Sequence, residues 1–214
     1  MRNIFPVRDA FTTKAHQDFP NVQGTEAVYT AWFPLLDCPL AVGPLQIAAG
    51  SHRRGVFDFD IAGGAGGIEI SDPLEGRWVS DDVALGDVLL FHSMTVHKGL
   101  PNRSDKLRMS MDVRYQPISE PFCPDNANPD GQPLSWAEVY ADWQSDTLQY
   151  YWRKLPLIEK PFDRQWFDKR DALGFARGEA GDPAARSVLQ RIVARDADPA
   201  KRARAQALLD RLSA

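Results

Sequence analysis

A histidine and an aspartate near the start of the chain stand at a spacing that lets both bind one metal ion. His16 and Asp18 are two positions apart, and side chains at positions i and i+2 of extended backbone point to the same side. Imidazole nitrogen and carboxylate oxygen are ligands that suit divalent transition metals. Cys38 and Cys123 lack C-x-x-C spacing and indicate neither a zinc knuckle nor a disulfide framework. A metal site in this chain would therefore use imidazole and carboxylate.

A third ligand has to come from the remaining histidines, His52, His92 and His97. Two imidazoles and one carboxylate on one face of a metal leave the opposite face open, which is the ligand set of non-haem Fe(II) oxygenases. An H-x-D tripeptide also arises readily by chance, so His16 and Asp18 alone are a weak signal. The segment GDVLLFHSMTVHKGLPNRSDKLRMSMDVRYQP, residues 86–117, strengthens it, because a predicted strand that ends in histidine is followed by a turn and then by a strand that carries arginine.

The elements that would position these side chains are β-strands. Short β-prone segments broken by glycine, proline and aspartate run from the start of the chain to about Pro117. They cover residues 2–7, 27–34, 44–48, 78–83, 87–92 and 107–115. This pattern predicts an all-β sandwich or barrel. The glycines of GGAGG, residues 63–67, favour a mobile surface loop over a phosphate-binding loop, because no GKS or GKT follows them.

The composition of the chain changes after the last predicted strand. Residues 118–134 are dense in proline, asparagine and aspartate, which predicts a long irregular connection. Ser135 and Glu138 then stand at capping-box spacing, so a helix should begin at about Trp136.

Two later helices are predicted by their first residues. Asp182-Pro183 and Asp198-Pro199 each place a capping aspartate before a proline, and apolar residues follow at helical spacing. The predicted organisation is a β core over 1–117, the connection over 118–134, and helices over 135–214 packed on or beside the core. These C-terminal helices also offer a surface for a homo-oligomer.

Composition limits the classes of function. The 214 residues suffice for one compact domain, and the formal net charge of -4 with a pI near 5.6 leaves no basic face for nucleic acid. No run of about 18 apolar residues occurs, and the opening MRNIFPVRDAF lacks the apolar segment of a signal peptide. We expect a cytoplasmic protein that binds neither nucleic acid nor a membrane.

Several motifs together resemble the phytanoyl-CoA dioxygenase-like family of Fe(II)/2-oxoglutarate-dependent oxygenases, over about residues 2–117. They are H-x-D, a later tryptophan, GPL-x-x-x-x-GSH, GD-x-x-x-FH, a distal histidine, and N-x-S followed by arginine. In this chain they are His16 with Asp18, Trp32, residues 43–52, residues 86–92, His97, and Asn102 with Ser104 and Arg108. The resemblance implies a double-stranded β-helix (jelly-roll, cupin-like) core with a C-terminal helical appendage.

The resemblance also implies roles for single residues. His97 becomes the third iron ligand because it stands eleven residues before Arg108, as the distal ligand does in the family. Arg108 would pair bidentately with the distal carboxylate of 2-oxoglutarate, the alternative being a structural ion pair with Asp112. Ser110 could add a hydroxyl hydrogen bond to the cosubstrate or be merely structural.

Two further residues are weaker candidates for the cosubstrate pocket. Trp32 would lie near the iron-chelating end of 2-oxoglutarate, although strand tryptophans are often simply core residues. Gln17, between the ligands, would point away from the metal towards the cosubstrate's pocket, as in some relatives, the alternative being a neutral surface amide.

The implied activity is hydroxylation of a small-molecule substrate by Fe(II), 2-oxoglutarate and O2, with release of succinate and CO2. The retained Asp18 favours hydroxylation over halogenation, because halogenating relatives replace this carboxylate with a small residue. Only fifteen residues precede His16, so the front of the fold is expected to be short. The alternatives are a non-catalytic β-barrel of the same ancestry that binds a ligand or partner, and a cupin-like enzyme using another divalent metal.

Overall fold

The computed structural model describes residues 1–6, 12–63, 66–70, 74, 76–129, 134–164 and 166–213. Its strands are β1 Arg2–Ile4, β2 Tyr29–Pro34, β3 Leu45–Ala48, β4 Phe59–Ile61, β5 Ile68–Ile70, β6 Trp78–Val79, β7 Leu89–His92, β8 His97–Gly99 and β9 Arg108–Tyr115. Its α-helices are α1 Phe19–Val22, α2 Trp136–Tyr140, α3 Trp166–Glu179, α4 Arg186–Arg195 and α5 Pro199–Ser213.

The strands form two antiparallel sheets and a separate hairpin. The larger sheet has the order β1-β9-β2-β7, the smaller one has the order β6-β3-β8, and β4 pairs with β5. Each of the six predicted β-prone segments contains one of these strands, although Val7 lies outside the described residues. The structure is therefore sheet-rich with helices. Within the described ranges the sheets do not close into a barrel, so the double-stranded β-helix topology stays a prediction.

Three strands were not predicted. β8 has only three residues and contains Lys98 and Gly99, so its composition carries little β signal; its pairing with β3 makes it a strand. β4 and β5 flank the glycine-rich segment, where short apolar runs are hard to classify from sequence.

The β core has two clusters of buried apolar side chains. One lies around the larger sheet and consists of Trp32, Cys38, Val42 and Phe91. The other joins the β4–β5 hairpin to the smaller sheet and consists of Ala48, Phe57, Phe59, Ile68, Ile70, Leu74 and Val96. Trp32 and Phe91 of the first cluster also line a pocket, so one face of the larger sheet contributes to both the core and that pocket.

The C-terminal helices begin where the sequence predicts. Ser135 and Glu138 form both bonds of the capping box at the start of α2. Asp182 caps a short 3-10 turn that leads into α4, and Asp198 accepts a hydrogen bond from the Ala200 backbone at the start of α5. Helices α3, α4 and α5 share one apolar cluster, which consists of Phe175, Ala185, Val188, Leu189, Ile192, Ala205 and Leu208. The long helix α3 was not singled out by the sequence.

The helices contact the β core through polar groups as well as close packing. Buried Asp58 forms ion pairs with Arg170 of α3, at 3.2 Å, and with Arg191 of α4. At the same boundary, a Cβ added to Gly55 would lie 2.2 Å from Cβ of Ala184. Gly55 also has a φ of +70°, so both its backbone and its surroundings require glycine.

Gly55→Ala is expected to lower the free energy of unfolding by about 2–4 kcal/mol, because it combines left-handed strain with overpacking against Ala184. Gly181→Ala is the matched control: its φ is +74°, but nothing lies within 4 Å of the added Cβ. Backbone strain alone should cost about 1 kcal/mol there. Urea unfolding measures both values, and equal losses would contradict the close packing at this boundary.

None of the helices in the described part of the chain combines the length and the apolar character needed to cross a membrane.

Candidate metal centre

Backbone pairing places the candidate ligands opposite each other. His16 and His97 form an isolated antiparallel bridge in which each backbone N–H donates to the other residue's carbonyl at 3.0 Å. Asp18 N–H then donates to Ser93 O at 3.0 Å, and the chain turns into α1. His16 and Asp18 are thereby held beside the stretch that leads into β8.

The three side chains converge on one point. Their ligand atoms all lie within 4.8 Å of one another, and each residue is at most 5% exposed. Nε2 of His16 is 3.7 Å from Asp18 Oδ1, and Nε2 of His97 is 3.9 Å from the same oxygen. One ion placed between these atoms would have two nitrogens and one oxygen as ligands, as expected for a site with two histidines and one carboxylate.

The other ring nitrogens are held by backbone carbonyls. Nδ1 of His16 lies 2.7 Å from Lys14 O, and Nδ1 of His97 lies 3.0 Å from Thr95 O. A carbonyl only accepts, so each Nδ1 carries the proton and each neutral Nε2 keeps a free lone pair. Outer hydrogen bonds of this kind orient metal-ligating histidines.

Two groups hold the Asp18 carboxylate. Thr30 Oγ1 donates to Oδ2 at 2.6 Å, which leaves Oδ1 to face the imidazoles, and Arg114 Nη2 lies 3.2 Å from Oδ1. Burial alone would raise the pKa of Asp18, but the neighbouring His97, Arg114 and His16 and the hydrogen bond from Thr30 together hold that pKa well below its usual range. Asp18 is therefore an ionised ligand at neutral pH.

Burial and the neighbouring His97 lower the pKa of His16 from 6.5 to about 4. The unfolded chain takes up this proton near pH 6.5, whereas the folded, metal-free protein does so only near pH 4. The free energy of unfolding should therefore fall as the pH drops from 6.5 to about 4, by up to about 3 kcal/mol at about 1.4 kcal/mol per pH unit.

Urea unfolding of the metal-free wild type and of His16→Asn, at neutral pH and at about pH 5, measures this contribution. The variant should lose part of the pH dependence, and identical pH dependence in both proteins would contradict the lowered pKa of His16.

Two of the four residues predicted to bind the cosubstrate lie beside the candidate metal ligands. Arg108 and Trp32 line the same pocket as the three ligands, and the Arg108 guanidinium carbon lies 6.0 Å from the Trp32 ring centroid. Arg108 Nη1 donates to Gly43 O, and burial lowers the pKa of Arg108. Ser110 is fully buried on the same strand but is not part of the pocket wall.

Three of these side chains keep unused hydrogen-bonding atoms. Within the described residues, Arg108 Nε, Trp32 Nε1 and Ser110 Oγ are buried and have no hydrogen-bond partner. Asp112 forms its ion pairs with Arg2 and Arg114, at 3.5 and 3.3 Å, so the alternative partner suggested for Arg108 is engaged elsewhere. Buried polar groups without partners are rare and indicate a missing ligand or water.

Gln17 lies apart from this group. Its Nε2 donates to Gly55 O at 2.8 Å and to Met94 O at 2.6 Å, and its Oε1 accepts from Phe57 N–H at 2.8 Å. It points to the side opposite His16 and Asp18, as alternation along extended backbone requires. The amide is fully buried, so the surface alternative is wrong, and its hydrogen bonds tie three backbone segments together.

Sequence reasoning missed five polar residues of the pocket, which are Arg2, Thr13, Thr30, Asp112 and Arg114. The period of two along β9, counted onward from Arg108, would have placed Asp112 and Arg114 on the same face. Thr30 gave no comparable signal. The pocket has a volume of about 30 Å³, enough for a metal ion with a water, and its wall includes Arg2 and Arg114, whose side chains are about one-third exposed.

The other two histidines are not in this group. His92 Nδ1 accepts from Met94 N–H at 3.1 Å, and the rings of His52 and His92 lie 5.8 Å apart. The only cluster of three potential metal ligands among the described residues is His16, Asp18 and His97.

The model of the phytanoyl-CoA dioxygenase (PhyH) family matches residues 3–110, which is half of the chain. The chain belongs to this family, as the motifs predicted. The matched range contains His16, Asp18 and His97 together with Trp32 and Arg108.

The chain is similar to two curated enzymes, both named 1-deoxypentalenic acid 11-beta-hydroxylase. The one from Streptomyces arenae is 37% identical over 121 residues, and the one from Streptomyces exfoliatus is 32% identical over 121 residues. Each match covers 51% of this chain and 43% of the relative, so the chain spans less than half the length of these relatives.

Solved structures that match part of this chain include a carbocyclase and an epimerase. The non-heme alpha ketoglutarate dependent carbocyclase SnoK from nogalamycin biosynthesis is 26% identical, with a TM-score of 0.44 over 62% of this chain and 56% of that chain. The epimerase SnoN in complex with Fe3+, alpha ketoglutarate and nogalamycin RO is 20% identical, with a TM-score of 0.46 over 62% of this chain and 55% of that chain.

Proposed function

We propose that this chain is an Fe(II)- and 2-oxoglutarate-dependent dioxygenase that hydroxylates a small molecule and releases succinate and CO2. Membership of the phytanoyl-CoA dioxygenase family and the hydroxylase names of both curated relatives support this proposal. We further propose that its two sheets follow the double-stranded β-helix topology. The acidic pI near 5.6 suits a cytoplasmic reaction that involves neither nucleic acid nor a membrane.

The described residues fit a divalent metal. His16 and His97 would each offer a neutral Nε2, and Asp18 would offer an ionised carboxylate that Thr30 holds from its far oxygen. When bound, iron supplies the activation of dioxygen, coupled to the oxidative decarboxylation of 2-oxoglutarate. The role of the three side chains is to hold the metal on one face and leave the other face open to ligands.

The observation that carries the proposal is the buried, only partly hydrogen-bonded guanidinium beside the triad. Arg108 is 2% exposed, donates to Gly43 O, and keeps Nε without a partner among the described residues. A buried cation with so few partners is costly, and a dicarboxylate would supply the missing charge and acceptors. Arg108 would orient the cosubstrate, and Trp32 Nε1 and Ser110 Oγ would be further donors.

The substrate is proposed only as a class. The curated relatives are named for hydroxylation of 1-deoxypentalenic acid, which supports a small organic molecule. Asp18 keeps a carboxylate in the metal centre, which supports hydroxylation rather than halogenation. Arg108 would bind the cosubstrate and would therefore not serve to bind the substrate.

Anaerobic addition of Fe(II) and 2-oxoglutarate tests the proposal, because their chelate has a weak visible charge-transfer band. The band should form with wild type, disappear in His97→Ala, and persist in His52→Ala, which removes a histidine outside the triad. Absence of the band in wild type would sink the proposal. A band without succinate from any compound in a broad metabolite screen would favour a non-catalytic binding protein.

A further inference from the structure

The glycine-rich connection between β4 and β5 has no role in the proposed function. The structure shows that one of its residues, Gly66, is buried. Asn21, just after the ligand Asp18, donates from Nδ2 to Gly66 O at 3.0 Å, and Ala62 N–H donates to Gly67 O at 3.0 Å. At Gly66 the connection therefore packs inward, where the sequence had predicted a mobile surface loop.

Gly66 lies against the imidazole of the metal ligand His16. A Cβ added to Gly66 would lie 3.1 Å from Cγ and 3.3 Å from both Cδ2 and Nδ1 of His16, which is tighter than ordinary van der Waals contact. The φ of Gly66 is not in the left-handed region, whereas that of Gly67 is +66° with open space around it. At Gly66 it is the space beside His16, and not the backbone, that requires glycine.

The His16 ring is also held on its other sides. Nδ1 is bonded to Lys14 O at 2.7 Å, and the His97 ring centroid lies 4.2 Å away. A group that pressed on the ring from Gly66 would therefore strain the Lys14 bond or turn Nε2 away from Asp18. The pressure would reach the ring because Asn21 holds the connection in place.

We propose that Gly66 is a positioning residue for the metal ligand His16, and that Asn21 holds Gly66 against the ring. The inference rests on the proposed function, since it assigns His16 to the metal. It gives Gly66 a role: glycine lets the backbone lie beside the imidazole without the close contact that a Cβ would make with the ring.

Titration with Co(II), followed by its visible absorption, tests this role without requiring turnover. Gly66→Ala should weaken Co(II) binding by about tenfold and change the spectrum of the bound ion, as changes to groups that hold metal ligands do. Gly63→Ala is the matched control from the same connection, because nothing lies within 4 Å of its added Cβ and its φ is ordinary. It should bind Co(II) like wild type.

Asn21→Ala adds a second test. Alone it should weaken Co(II) binding by a factor of about three, because the connection can then leave the ring. In the double variant that combines Asn21→Ala with Gly66→Ala, the added methyl group is free to move away from the ring. The affinity of this double variant should therefore resemble that of Asn21→Ala and exceed that of Gly66→Ala. If Gly66→Ala does not fold, an unchanged dissociation constant in Asn21→Ala overturns the proposal.

The two proposals fail in different ways. If wild type binds no Co(II), the metal centre itself is wrong and this inference falls with it. If wild type, Gly63→Ala and Gly66→Ala bind Co(II) equally well and with the same spectrum, only the positioning role of Gly66 is wrong.

Discussion

Asp18→Asn is expected to weaken Fe(II) binding by more than about 100-fold and to abolish succinate formation, while the chain still folds. Asp18 is the only carboxylate of the three-ligand cluster in the described residues, and a neutral amide is a poor ligand for Fe(II). The substitution keeps the volume of the side chain, and the amide oxygen can still accept from Thr30 Oγ1. The substitution should therefore reduce Fe(II) affinity and leave the fold intact.

Metal titration and thermal unfolding of the same samples separate these effects. Asp60→Asn is the control, because Asp60 is an exposed partner of Arg195 at 3.2 Å and lies outside the pocket. It should bind Fe(II) like wild type, since exposed ion pairs contribute little. An Asp18→Asn protein with wild-type Fe(II) affinity would remove Asp18 from the ligand set.

Arg108→Gln is expected to weaken 2-oxoglutarate binding by about 100-fold or more while leaving Fe(II) affinity unchanged. A bidentate pair with a carboxylate contains two charge-assisted hydrogen bonds of about 1.5–3 kcal/mol each, and about 1.4 kcal/mol corresponds to tenfold. Arg108→Lys keeps the charge but loses the planar fork, so its affinity should be intermediate.

Because Arg108 is buried, the effect of 2-oxoglutarate on the Tm is a second test of its role. Desolvation of its guanidinium costs stability in the free protein, and a bound dicarboxylate should recover it. With Fe(II) present, 2-oxoglutarate should raise the Tm of wild type and of the exposed control Arg103→Gln, but not that of Arg108→Gln. Equal increases in all three proteins would show that the cosubstrate binds elsewhere.

The proposed cosubstrate site and the metal centre take their residues from different sheets. Arg108 and Trp32 come from β9 and β2 of the larger sheet, whereas His97 comes from β8 of the smaller one. His16 reaches the same pocket through its bridge to His97. A substitution that shifts one sheet against the other should therefore separate the metal from the cosubstrate anchor before it unfolds either sheet.

Interactions between near neighbours were predictable from the sequence. The capping box of Ser135 and Glu138 spans three residues, and the helix starts at Asp182 and Asp198 depend on the residue that follows each aspartate. The placement of His16 and Asp18 on one side also needs only extended backbone. Such features depend on local geometry, which the order of residue types determines.

The choice among the distant histidines was different. Spacing alone did not decide between His92 and His97, and only the family resemblance favoured His97. In the structure, the backbone bridge between His16 and His97 brings these rings together and leaves His92 beside His52. Contacts between residues about eighty positions apart depend on strand register, which no local pattern encodes.

The His16 and Asp18 pair is thus local, and its surroundings are not. The family, this pair, the strand that carries Arg108 and the helix starts could all be predicted from the order of the residues. The contacts by which Thr30 and Arg114 hold Asp18, Gln17 ties three backbone segments together and Gly66 packs against His16 became apparent only in the folded chain. These contacts join segments whose meeting depends on how sheets and loops pack, because side-chain burial is a property of the whole fold.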